Sequence, residues 1–339
     1  MERRQHKKFM LHATLISVIL NLNTGGIMKY SYAILTDICC DLSAGLRARF
    51  EVDGYLKMYM STPNSDDVEV SLDLSDAELD AFYVSLKANK GGYKTSPCSV
   101  DEIVSYFETF LQQGKDILAI CLSSKLSAMY NLMLNAQKIV CEKYPGRKII
   151  VLDSRKYSTG LGLLTVKACE LRAEGCSIEQ NAEKLEKINT TIHQMAQLDD
   201  LFWFASKGRI SYVKAFFGTL AGIKTMGEFD SDGRPMPFGK ISGYKKAQKV
   251  IIEYIKKTII SADEQIIFVA HSARKDQAEI LASNIKEIFK PKEVIICNVY
   301  PINGINVGPG LFGAYYYGTE ITDLKHEKEI FNEIISEKL

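Results

Sequence analysis

The chain has 339 residues, 46% of them hydrophobic and 24% charged, with 42 Lys and Arg against 41 Asp and Glu. That length suits two domains with a substantial buried core. A net charge of +1, with no basic stripe interleaved with aromatics, excludes nucleic acid as a partner on electrostatic grounds.

Eight cysteines lie scattered and form no CxxC pair, and five dispersed histidines lack metal-ligand spacing. A zinc or redox centre is therefore not expected, and reduced thiols in a cytoplasmic protein are. Residues 1–27 stand apart. MERRQHKKF followed by MLHATLISVILNL has the basic and apolar regions of a signal peptide. The apolar run is short for a membrane span, and no small-x-small cleavage site follows. The preferred expectation is an upstream extension, disordered or not translated, with the protein proper opening at Met28.

Tyr32–Thr36 is an apolar run ending at Asp37, followed by the polar DICCDLS. That order suits the carboxyl edge of a parallel sheet, where ligands gather. A second reading stands beside it, in which Asp37 or Asp41 caps the next helix. Tyr55–Met60 reads as a second strand and Asp73–Asn89 as a helix stopped by Gly91 and Gly92. Ser99 and Glu102 have capping-box spacing ahead of a helical pattern that runs to Gly114. Ile117–Leu122 and Lys148–Leu152 read as buried strands, with a helix from the Ser123–Ser127 cluster to about Glu142 between them. A further helix is expected over Gly160–Glu174. Alternation of this kind predicts a parallel α/β sheet.

Beyond about residue 190 the pattern changes. Leu201–Phe204 precedes Ser206-Lys207-Gly208-Arg209, and a helix is expected over Tyr212–Leu220, where Phe216, Phe217 and Leu220 read more readily as core than as ligand lining. Asp230-Ser231-Asp232-Gly233 predicts a hairpin turn. Helices are expected over Lys245–Lys257 and Arg274–Phe289, and strands over Ile266–Ala270 and Glu293–Val299. PINGINVGPGLFGAYYYG reads as a glycine-rich loop entering an aromatic segment. No repeat or low-complexity linker separates the halves, so an extensive shared interface is expected.

The motifs of a P-loop, a dinucleotide fold and an α/β-hydrolase elbow are missing. What stands out is a surplus of small hydroxyl residues where helices are expected to begin: Thr95, Ser96, Ser99, Ser123, Ser124 and Ser127. Capping accounts for one per helix, by Ser99 and by Ser124 or Ser127. The remainder suggest a seat for a carboxylate or a phosphate. Arg209 adds a candidate charge.

TSPCSVDEIVSYFETF, SSKLSAMY, VLDSRKYSTGLG, SKGRIS and GINVGPGLFG occur in the order and spacing of the DegV family of bacterial fatty-acid-binding proteins, which the chain resembles from Met28 to about Gly318. The resemblance implies an N-terminal α/β domain with a parallel sheet (28–190) and a C-terminal α+β domain with a mainly antiparallel sheet (191–339). A long-chain fatty acid lies between them as ligand, with no cofactor, no metal and no catalytic residue. It further implies that the carboxylate is held by Thr95, Ser127 and Asn306, with Ser96, Ser124, Ala128 and Arg209 in support. The protein is then a carrier that presents the acid to a fatty-acid kinase for acyl phosphate formation and touches a membrane transiently. Departures from the family pattern are Asn306 in place of histidine, Ala128-Met129 in place of Gly-Thr, Ile38 for serine, Lys207 for glycine, Thr225 for proline and Ser242 for arginine. Two alternatives stay open: an enzyme acting on a small phosphorylated or carboxylated substrate through Asp37, Asp153 or His271, and a DegV-like paralogue without lipid.

Overall fold

A strand in the middle of a parallel sheet is covered on both faces, and β1 (Tyr32–Asp37) has all six residues buried. The computed structural model describes residues 29–209 and 223–337, and Tyr32 onward belongs to one compact unit. Helix α1 (Ala44–Arg49) leads into β2 (Gly54–Leu56), parallel to β1. The single strand expected over Tyr55–Met60 is two strands in two sheets. Pairing with β1 ends at Leu56, and β3 (Met58–Thr62) instead pairs antiparallel with β4 (Ser65–Glu69) and β5 (Lys94–Pro97). Local periodicity does not reveal a change of partner.

Between β4 and β5 lies α2 (Asp76–Ala88), opened by a Ser75–Glu78 capping box. Helix α3 (Val100–Leu111) starts as expected: Ser99 Oγ accepts from Glu102 N (3.3 Å) and Glu102 Oε2 from Ser99 N (2.7 Å). β6 (Asp116–Cys121), α4 (Met129–Lys143) and β7 (Ile149–Asp153) complete a parallel sheet of order β2-β1-β6-β7. Helix α5 (Thr159–Ala173) follows, then α6 (Ile178–Asn189), a helix the sequence reading missed although Ser177 and Gln180 form a capping box.

The second half begins with β8 (Ile192–Leu198) and α7 (Leu201–Ser206). The helix expected over Tyr212–Leu220, with Phe216, Phe217 and Leu220, lies outside the described residues. β9 (Ile223–Phe229) and β10 (Pro235–Ser242) form the expected hairpin, closed by Gly233 N donating to Asp230 O (2.9 Å). Then come α8 (Tyr244–Thr258), β11 (Ile266–His271), α9 (Lys275–Phe289), β12 (Glu293–Asn298), α10 (Pro301–Val307), β13 (Phe312–Tyr317) and α11 (Lys325–Ser336). The sheet order is β10-β9-β8-β13-β11-β12, antiparallel except for β11 with β12. The mixed α/β class expected from the sequence is the one observed.

PINGINV is not a loop. Pro301 occupies the first turn of α10, where its fixed φ favours the helix and its missing N–H costs nothing. Gly304 is required there by close packing, since a Cβ would lie 2.6 Å from the Tyr83 hydroxyl.

Helix α5 packs against β1 and β6 on one side and against β8, β11 and β13 on the other, and it is buried nearly all round. One apolar core therefore runs from the parallel sheet through α5 to Phe268, Ala270 and Tyr315 of the second sheet. A separate core lies on that sheet's far face, beneath α8, α9 and α11. The expected interface between halves is this continuous core. No helix among the described residues is long and apolar enough to cross a membrane.

Candidate functional site

Two buried carboxylates set the frame. Asp37 ends β1; its Oδ1 accepts from Cys39 N (2.8 Å) and its Oδ2 from Leu122 N (2.7 Å), tying the turn after β1 to the end of β6. Burial pushes its carboxyl up to about 6. Asp41 sits at φ +52; its Oδ1 accepts from Tyr300 N (3.0 Å), and its Oδ2 from Asn303 Nδ2 (2.8 Å) and from the Ser158 hydroxyl. Burial pushes it up to about 7 against the pull of those hydrogen bonds. Both residues act as braces: Asp37 caps the one-turn helix Ile38–Cys40, and Asp41 binds the starts of α5 and α10.

Helix α10 packs against β3, β5, α2 and α7, and Asn306, its one residue that is not fully buried, meets residues from distant parts of the chain. There Thr95, Ser127, Arg209 and Asn306 line one cavity of about 350 Å³, counting the solvent at its mouth. Thr95 stands on strand β5, not at a helix start as the sequence suggested, opposite Met60 of β3. Strand alternation turns Ser96 away, and it is not among the lining residues.

The polar groups of this cavity have a common sense. Asn306 Nδ2 donates to Ile302 O (2.8 Å) and reaches Thr95 Oγ1 at 3.5 Å. Ser127 Oγ accepts from Met129 N (3.2 Å). Each hydroxyl oxygen thus receives a hydrogen bond, which leaves its own hydrogen to be donated. Arg209 brings a guanidinium, steadied by the Lys207 carbonyl. Two hydroxyl donors and a cation facing one space suit an anionic oxygen.

The remaining predicted residues lie elsewhere. Helix α4 begins at Met129 with Ala128 at its N-cap and no side-chain cap, so neither Ser124 nor Ser127 caps it in the expected way. Ala128 is exposed, and Ser124 N donates to Asp153 Oδ1 (3.1 Å). Ser123 is buried and donates to Gly233 O (2.8 Å), fastening the β9–β10 hairpin to the parallel sheet. Asp37, Asp153 and His271 do not line the cavity. Among the described residues no group of His, Cys, Asp and Glu is placed to hold a metal.

Sequence reading missed Asn303, which lines the same cavity and donates to Cys39 O (2.9 Å) as well as to Asp41. It lies one turn before Asn306, a relation visible only once α10 is known to be helical. Tyr157 was also missed. Its hydroxyl donates to Asn303 O (2.7 Å), and its ring stacks on Phe229 at 6.1 Å.

Tyr157 and Phe204 border a second cavity, of about 510 Å³ with its open solvent, walled by Ala196, Leu198, Phe229 and Tyr315 among others. The two cavities share those two residues, so a polar space and an apolar one adjoin.

The fold and these paired cavities define a class: an α/β protein with adjoining polar and apolar cavities lined from both halves. The chain belongs to the DegV family, whose profile, described as "Uncharacterised protein, DegV family", matches residues 31–319. A DegV domain-containing protein of Clostridium perfringens is 31% identical over 291 residues, covering 85% of this chain and 97% of its own. Among solved structures, DegV of Bacillus subtilis, described as a fatty acid binding protein, superposes with a TM-score of 0.72 at 22% identity, over 86% of this chain and 100% of that one. The Streptococcus pneumoniae Fatty Acid Kinase B3 protein, loaded with linoleic acid, gives 0.71 at 20% identity, over 85% and 99%.

Proposed function

We propose that the protein binds one long-chain fatty acid between an N-terminal domain (28–190) and a C-terminal domain (191–339). Its carboxylate lies at Thr95, Ser127 and Asn306 beside Arg209, and its tail passes Tyr157 and Phe204 into the apolar cavity. The observation that carries this reading is the junction of the two cavities at those two residues. A tail of about fifteen methylenes gains roughly 12 kcal/mol on burial at ~0.8 kcal/mol each. A carboxylate loses several kcal/mol on leaving water unless donors meet it. Tail burial thus supplies affinity, and the hydroxyl donors make head-group burial tolerable.

The protein is a cytoplasmic carrier in this reading, meeting membranes transiently and presenting its acid to a fatty-acid kinase. The likeness to the pneumococcal kinase B3 protein supports that partner. Denaturing extraction of the purified protein followed by mass spectrometry tests the ligand: a long-chain acid at near-stoichiometric amount is expected. A folded protein that carries none and refuses added oleate and palmitate overturns the proposal.

A further inference from the structure

The apolar cavity is not uniformly apolar. Gln194, on β8, lines it and is 2% exposed. Its Oε1 accepts from Tyr157 N at 3.1 Å. A backbone N–H only donates, so the oxygen of the amide must face Tyr157 and the NH₂ must face the other way. That Nε2 has no hydrogen-bond partner among the described residues.

A buried amide donor without an acceptor is unfavourable, and native proteins keep few of them. The site is nonetheless shaped to hold this side chain: a Cβ at position 160 would lie 2.2 Å from Gln194 Oε1, so Gly160 leaves the room it occupies. Glu228 also borders the cavity, but its Oε2 lies 3.4 Å from His193 Nδ1 and so is turned toward that imidazole. Thr225, on the same wall, is 3% exposed. Register pairs Thr225 with Leu198, four residues along β8 from Gln194, so the two polar groups sit apart on one apolar wall.

We propose that this cavity selects an acyl chain carrying an acceptor oxygen part-way along it, an oxo or hydroxy long-chain acid, with Gln194 Nε2 donating to that oxygen. The proposal rests on the fatty-acid reading above and narrows its ligand class. An oxo oxygen only accepts, so it satisfies Gln194 without adding a donor. A hydroxyl must also find an acceptor for its own hydrogen, which Thr225 or Glu228 on the wall offers only at some chain positions. Oxo acids are therefore expected to rank first, hydroxy acids second and the saturated acid last.

The test is competition binding on the full chain. Stearate is compared with stearates bearing a single oxo or hydroxyl group at successive mid-chain carbons. At least one oxo position should bind about tenfold tighter than stearate, the scale of one satisfied buried donor. Gln194→Met should erase that gain, so that the oxo acid and stearate bind the variant about equally. Stearate binding as tightly as every oxygenated acid overturns the proposal and leaves the carrier reading standing. If no acid binds at all, both fall. Should Gln194→Met fail to fold, the wild-type series decides alone. A folded variant that keeps the wild-type preference removes Gln194 from the role.

Discussion

The two cavities are built in opposite ways. The polar one is assembled from segments that are far apart in the chain: β3 and β5, the turn after β6, the end of α7 and the helix α10. Its hydroxyl oxygens are already engaged as acceptors, so its hydrogens are aimed before any ligand arrives. The apolar one is mostly the face of a single sheet, β8, β9, β10 and β13, with a buried donor, Gln194 Nε2, that has no partner among the described residues. An assembled polar site gives selectivity for an anion at the cost of precise bracing. A sheet face gives area, and area gives affinity.

That contrast breaks most sharply at the apolar wall. Ala196→Phe places a ring where the tail is proposed to run. Excluding about five methylenes at ~0.8 kcal/mol each removes about 4 kcal/mol, roughly a thousandfold in affinity for palmitate. A short-chain acid should lose little. Calorimetric titration of both acids checks this, and unchanged palmitate affinity would move the tail elsewhere.

Next in size are the head-group donors. Thr95→Val and Ser127→Ala should each weaken fatty-acid binding by about 1–3 kcal/mol, with little change in Tm, because neither hydroxyl donates to the protein's own core. Equal binding in both variants and wild type would place the carboxylate away from this cavity.

The brace beneath the cavity titrates. Asp41 has its carboxyl raised from 3.8 to about 7 by burial. The folded protein therefore holds a proton that the unfolded chain releases between about pH 4 and pH 7, so this group's stabilisation is complete below about pH 4 and is lost as pH rises to about 7. Asp37, raised to about 6, acts in the same direction over the lower part of that window. Urea unfolding from pH 4 to pH 8 should show stability relative to Asp41→Asn declining with pH. A difference that is flat or rises would show that the carboxylate is not the group in play.

The smallest effect is expected at Asn306. A neutral amide gives affinity without a titration of its own. Asn306→His should add a modest gain below about pH 6.5, where an imidazole is charged, and none above it. Equilibrium binding of oleate at pH 5.5 and pH 8 in both proteins measures it, and a variant with the wild-type pH profile would show that position 306 does not face the carboxylate.

Much of the fold was legible from pattern. β1, β6 and β7 are apolar runs bounded by turns, α3 carries its start signal in Ser99 and Glu102, and Asp230–Gly233 can hardly be other than a turn. The reading failed where partners, not periodicity, decide. Met58 leaves its sheet at a point no local signal marks, and PINGINV looked like a loop because two glycines follow it. Helix α6 had a capping box at Ser177 that went unread.

By itself the sequence determined the class of fold and the position of most elements, because these rest on the spacing of apolar residues and on local start and stop signals; the family came from the order and spacing of its motifs. The resemblance to that family singled out Thr95, Ser127 and Asn306, with Arg209 in support. Only the tertiary structure decided that these four meet, since they come from a strand, a turn, a helix end and another helix that line one cavity. It alone separated Thr95 from Ser96, through the direction in which a strand points its side chains. And it alone exposed Gln194, whose donor has a meaning only when the cavity it borders is known to be apolar and shared with Tyr157.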